Sequence, residues 1–259
     1  MFSRRSFWVR SLRWLSLWTW ALPASGLAAA VEVNPVRLDL EGGSRGVAVM
    51  LKNLSNESVR FQASMHTWTQ DEGGNMSLAP TQEVFFFPAM LTLEPGETRP
   101  IRVGISSAPQ ATERTFRLVV EELPPIGPLP PSAGLKVLTR ISVPVFVAPQ
   151  SKSVDGRVED VELTQSKFQF RVKNPGTVTF YVRNSRMRGL DEKGERVFVK
   201  EEPGWYVLPG GSLTFALKTP VEQCQKIRSL EVEVETDRGV FRQAAPVNAS
   251  VPCATPETP

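Results

Sequence analysis

Val49-Met50-Leu51-Lys52-Asn53, a turn, then Val59-Arg60-Phe61: this run and its echo decide the fold. The echo is Phe170-Arg171-Val172-Lys173-Asn174, a turn, then Val178-Thr179-Phe180. Alternate side chains of a strand point to opposite faces, so Val49 and Leu51 share one face and Phe170 and Val172 another. Downstream the likeness continues. Leu93-Glu94-Pro95-Gly96 precedes Ile101 and Val103, and Leu208-Pro209-Gly210-Gly211 precedes Leu213, Phe215 and Leu217. A unit that recurs in this order predicts two related antiparallel sandwiches of about 100 residues each.

Working outward, the same period of two fills the rest. Phe61, Ala63 and Met65 alternate with Gln62, Ser64 and His66, and Phe116, Leu118 and Val120 with Arg117, Val119 and Glu121. Leu230, Val232 and Val234 repeat the pattern near the end. Turns carrying Gly, Pro, Asn or Asp separate the runs, each fixing or freeing φ where the chain must reverse. Helical periodicity is scarce after residue 31. The expected class is all-β, two immunoglobulin-like sandwiches, with residues 31–149 and 150–259 as domains.

Residues 1–30 stand apart. Four arginines without an acid precede the apolar run 14–22 and a small-residue stretch ending Ala28-Ala29-Ala30. This is the order of a secretory signal peptide, with cleavage expected after Ala30. Ser3-Arg4-Arg5-Ser6-Phe7 also resembles a twin-arginine signal, which leaves the export route open. The chain has 259 residues, with 30 basic and 27 acidic side chains, net +3. Removing the leader leaves 26 basic against 27 acidic, so no basic surface of a nucleic-acid binder remains. Export permits a disulfide, and Cys224 and Cys253 are the two cysteines. Two free thiols are the alternative.

The segment before the domain junction is unusual. Residues 124–134 hold five prolines, and a mostly apolar stretch from Leu135 to Val147 follows. Pro144 has no amide to give, which places this stretch at a sheet edge. A long apolar edge is a hazard unless something pairs with it.

These pieces, in this order, resemble the PapD-like pilus-assembly chaperones of chaperone–usher systems. The resemblance rests on Val33 to Leu40 with Arg37, on Asn53 and Trp68, and on the block Phe85 to Val103. It continues through Glu113 to Pro125 and Arg140 to Pro149. Arg140-Ile141-Ser142-Val143-Pro144-Val145-Phe146-Val147 is closer to the archaic, spore-coat-type branch. The resemblance implies a periplasmic protein shaped as a boomerang. It implies that the last strand of the first domain lends alternate side chains to a pilin, fimbrial or spore-coat-like subunit, and delivery to an outer-membrane usher. Leu135, Val137, Thr139 and Ile141 are the expected donor positions. It also implies a basic anchor between the domains for the subunit's terminal carboxylate. Arg37 matches the family's first anchor. The family's second anchor, a lysine, aligns with Pro144, so Arg117 and Arg140 are the candidates to replace it. Self-association of the free protein through the edge is left open.

Enzyme readings have little to stand on. His66 has no Ser or Cys at motif spacing, no phosphate-binding glycine loop precedes a helix, and no ligand set suggests a metal or other cofactor. A two-domain adhesin or ligand-binding surface protein is the alternative reading.

Overall fold

The computed structural model describes residues 31–41, 46–126, 137–248 and 253. The leader reading of residues 1–30 and the donor position Leu135 lie outside them.

The first half runs β1 (Val31–Asn34), β2 (Leu38–Leu40), β3 (Val47–Asn53), β4 (Val59–Gln70), β5 (Met76–Pro80), β6 (Val84–Phe87), β7 (Met90–Leu93), β8 (Thr98–Ile105), β9 (Arg114–Glu122) and β10 (Arg140–Val147). One sheet has the order β1-β3-β8-β6, and the facing one β2-β10-β9-β4-β5 with β7 also on β4. Their inward rows, among them Val49, Leu51, Phe61, Ile101, Phe116, Leu118, Val143 and Val145, make one core.

The second half runs β11 (Arg157–Thr164), β12 (Lys167–Lys173), β13 (Phe180–Leu190), β14 (Arg196–Glu202), β15 (Tyr206–Val207), β16 (Ser212–Lys218), the short helix α1 (Val221–Cys224), β17 (Ser229–Thr236) and β18 (Val240–Pro246). Its sheets are β11-β12-β16 and β14-β13-β17-β18, with β15 on β13, around a separate core that includes Phe168, Phe170, Phe180 and Leu230. No sheet among the described residues takes strands from both halves. Cys224 is bonded to Cys253, which ties α1 to the chain's last described residue.

The repeat seen in the sequence is a repeat of hydrogen bonds. Asn53 and Asn174 are fully buried. The Asn53 amide donates to the carbonyls of Glu57 (2.7 Å) and Leu93 (3.0 Å), and its oxygen accepts from the Ser55 amide. The Asn174 amide donates to Val178 (2.9 Å) and Val207 (2.8 Å), and its oxygen accepts from Gly176. The backbone carbonyls of Asn53 and Asn174 accept from Gly96 and Gly210. Both glycines have φ near +74° with open space around them, so backbone conformation alone demands glycine there. Each asparagine pins the turn after its strand to the turn entering a distant one.

The C-terminal edge of the first half differs from expectation in one respect. Among the described residues strand geometry begins at Arg140, and Val137 to Thr139 precede it outside any strand. Its partner β9 ends at Glu122, and Pro124 and Pro125 cannot extend the ladder. The Thr139 amide turns instead to the Glu122 carboxylate (3.1 Å).

Asn174→Ala should remove two donors and strand two buried carbonyls, costing about 2–6 kcal/mol at roughly 1–3 per orphaned group. Urea unfolding measures it. A loss below about 0.5 kcal/mol would show that the turns hold themselves.

Candidate functional site

β10 has a different neighbour on each side. Along its whole length it pairs antiparallel with β9, Arg140 opposite Glu121 through Val147 opposite Arg114. On the other side β2 pairs with it in parallel, but only from Val145 to Val147. The Glu122 amide donates to the Thr139 carbonyl (2.8 Å), so odd-numbered residues exchange their backbone bonds with β9. Even-numbered residues face the other way, as the bond from the Ala148 amide to the Leu40 carbonyl shows (2.9 Å). Arg140 and Ser142 therefore turn amide and carbonyl toward a side where no described strand lies. Pro144 offers only its carbonyl there. The edge expected from Pro144 is present, but for half the strand.

The odd side chains Val143, Val145 and Val147 enter the first core, and Ile141 packs half-buried at its margin. Val137 lies before the strand, 75 % exposed, and Thr139 is half-buried. Of the donor candidates, Ile141 alone lies within β10.

The even row of β10 continues across the sheet. Pro144 is opposite Arg117 and Arg117 is opposite His66, so these three share one face. Phe146 and Trp68 lie in the neighbouring rung and meet at 5.9 Å between ring centres. The second half closes on this face with Tyr206, packed edge-on against Trp68 (5.3 Å) and near Phe146 (5.6 Å). Leu208 fills in beside them. Trp205 and Tyr181 extend the aromatic wall from Tyr206.

The two cleft arginines have opposite environments. Arg37 is already matched: its Nη2 is 2.8 Å from Asp39, its Nη1 is 3.7 Å from Asp237 of the second half, and its guanidinium lies 4.2 Å over the Phe146 ring. Burial works against its charge, but the Asp39 bonds outweigh that and raise its pKa. Arg117 is 4 % exposed, and among the described residues no carboxylate pairs with it. It stacks 3.8 Å over Trp68, and its Nη1 makes one long bond to the Ser142 carbonyl (3.4 Å). Its Nε and Nη2 have no partner, nor do Trp68 Nε1 and His66 Nδ1 nearby. Burial lowers the Arg117 pKa, with partial relief from Tyr206. The Arg117 guanidinium is thus held by an aromatic face and one long bond, with two of its nitrogens unused.

Arg140 does not join them. It is exposed and paired across the strands with Glu121 at 3.0 Å. The structure thus brings Arg37 and Arg117 to one cleft and leaves Arg140 on the open surface.

Other contacts hold the halves at this cleft. The Glu113 amide donates to the Thr177 carbonyl, and its carboxylate accepts from the Thr179 amide (2.9 Å). Burial pushes the Glu113 carboxyl above the usual range, only partly offset by Thr179 and Arg37. Farther off, the Thr214 amide donates to the Glu72 carbonyl (2.8 Å).

Sequence reasoning missed Tyr206, Trp205 and Asp237, whose significance comes from the other domain. One cue was present: Trp68 and Trp205 are the two tryptophans beyond residue 30. It also missed that Ser64 Oγ lies 3.0 Å from His66 Nε2. With Nδ1 unpartnered, no acid orients that ring as a base would need. Among the described residues no cluster of His, Cys, Asp or Glu could hold a metal.

Residues 30–153 match the family described as pili and flagellar-assembly chaperone, PapD N-terminal domain. Over that span, just under half of the chain, it is similar to the PapD-like chaperones. The family is one of chaperones, not enzymes. Solved structures extend the likeness of fold to both halves of the PapD-like chain. A chain of the CsuC–CsuE chaperone–tip adhesion subunit pre-assembly complex, from the archaic chaperone–usher Csu pili of Acinetobacter baumannii, is 18 % identical. That match covers 85 % of this chain and 98 % of the other, with a TM-score of 0.56. The YadV chaperone is 16 % identical over 84 % of this chain and all of its own, TM-score 0.56. The Pseudomonas aeruginosa CupB2 chaperone is 20 % identical over 84 % and 100 %, TM-score 0.51. A search of curated protein sequences finds no match.

Two substitutions separate structural from binding roles in the PapD-like cleft. Arg117→Met removes a charge buried without a partner, so stability should hold or rise by about 1–2 kcal/mol in urea unfolding. A clear loss would make Arg117 a structural residue. Glu113→Gln addresses the raised carboxyl. A raised acid in the folded state favours folding below its ordinary pKa and loses that advantage as pH rises through the folded value. Glu113→Gln should therefore unfold at higher urea than wild type at pH 7, with the gap closing toward pH 4. An unchanged gap would mean that Glu113 is not buried as a charge.

Proposed function

We propose that this chaperone receives one pilin-like or coat-like subunit by strand addition along Arg140–Pro144 and anchors its terminal carboxylate at Arg117 and Arg37. The observation that carries the reading is the open half of β10 leading into an unpartnered arginine. A chain laid on that rim, parallel to β10, would run head to tail into β2, which occupies the same side from Val145 onward. Its last residue would stop near Pro144. Arg37 stands just before β2, and Arg117 reaches the rim at the Ser142 carbonyl. Its strand would bond the outward amides and carbonyls of Arg140 and Ser142, and its terminal carboxylate would find the idle donors of Arg117. Ile141, with Val137, Thr139 and Leu135 on the same alternation, would contribute side chains to the subunit's incomplete core.

The rest of the reading follows from the family. The leader ends at Ala30 and is cleaved on export to the periplasm, residues 31–149 carry the subunit, and 150–259 close the cleft. The loaded complex hands its subunit to an outer-membrane usher. In the free protein the open rim pairs with a second copy, since an exposed edge invites pairing.

Co-expression with subunits encoded beside this gene tests the proposal. Wild type should co-purify one-to-one with a subunit. Ser142→Pro deletes a rim amide that β9 does not use, as Pro144 already does two residues on. It should keep its unfolding midpoint and lose at least tenfold in recovered complex. Full recovery with Ser142→Pro would end the strand-addition reading.

A further inference from the structure

The anchor of the preceding section is closed in the free protein. Arg117 is 4 % exposed, with Trp68 on one side of its guanidinium and the rings of Tyr206 and Trp205 within 5.8 and 6.0 Å. An anion cannot reach Nε and Nη2 unless a ring moves. The backbone is not free to do so. The Trp205 carbonyl accepts from the Val182 amide (2.9 Å), Tyr206 is paired with Tyr181 in the ladder, and a Cβ on Gly204 would collide with Val182 at 2.4 Å. The Tyr206 side chain is wedged among Trp68, Phe146, Tyr181 and Trp205. Trp205 is the least enclosed of the set at 38 % exposed, and its ring packs edge-on against Tyr181 and Tyr206.

We propose that Trp205 is a lid over Arg117, displaced by the end of the incoming chain, and that it selects partners whose terminal residue is aromatic or bulky and apolar. The inference rests on the carboxylate-anchor reading of the cleft. A terminal carboxylate on Arg117 puts its own side chain beside the ring it displaces. An aromatic or large apolar group there restores the stacking that the opened lid loses. A small polar one leaves indole, Tyr206 and Tyr181 facing water. Stacked aromatic pairs exceed simple burial by roughly 0.5–1.5 kcal/mol, and the extra buried area adds to that, so about tenfold in affinity is expected.

The molecule carries its own reporter, because Trp68 and Trp205 are the two tryptophans beyond residue 30. The probes are twelve-residue peptides of alternating valine and threonine, led by two lysines. One ends in a phenylalanine acid, one in a serine acid, one in a phenylalanine amide. Protein recovered from the periplasm is titrated with each. The difference between wild type and Trp205→Phe isolates the emission of Trp205. The phenylalanine acid should shift that emission and bind about tenfold tighter than the serine acid, with the amide weakest. Trp205→Ala should bind both acids alike while still preferring acid to amide. Equal binding of the two acids by wild type, or a preference that survives Trp205→Ala, overturns the lid while leaving the anchor intact. No difference between acid and amide overturns the anchor, and the lid falls with it.

Discussion

Among the described residues the backbone of β10 is paired on both sides for only half its length, and the arrangement of the first domain follows from that. Every strand has two rows of donors and acceptors, and a protein that buries one row normally pairs or covers the other. Here β2 is three residues long and joins β10 in parallel at Val145–Val147 only. The inward side chains of the uncovered half still belong to the core, since Val143 is buried and Ile141 sits at its margin. The open rim is therefore held rigid by its own domain while lacking a partner. Such a strand loses little freedom when another chain pairs with it, which favours capture.

The cleft applies the same logic to charge. Arg37 enters with Asp39 and Asp237 already on it and bridges the two domains. Arg117 is held against the Trp68 face with donors idle. Aromatic faces tolerate a cation without using up its N–H groups, so a ring can store a buried arginine that a carboxylate would have quenched. The Arg117 environment is costly for stability, since burial disfavours its charge and leaves donors unused. The second domain contributes Tyr206 to complete it, which gives a physical reason for two sandwiches to meet at this face.

Much of the fold was legible. The period-two runs named the core rows correctly, from Phe61, Ala63 and Met65 to Leu230, Val232 and Val234. The paired Asn53 and Asn174 motifs marked equivalent points of two sandwiches because each residue carries out the same local task, bonding the turn that follows it. Val137 to Thr139 continue the apolar stretch yet precede β10, because an apolar alternation says which residues can be strand, not where a partner strand ends. Arg140 looked equivalent to Arg117 as an anchor because one-dimensional spacing does not show that Glu121 stands opposite it.

The sequence by itself determined the all-β class, the repeat and the edge character signalled by Pro144. These depend on local geometry: alternation, turn residues and the missing amide of proline. Only the tertiary structure decided how much of that edge is open, which arginine is uncompensated, and that Trp205 and Tyr206 cover it. Those depend on which residues from distant parts of the chain stand opposite one another, and pairing across 60 to 90 residues leaves no periodic trace in the sequence.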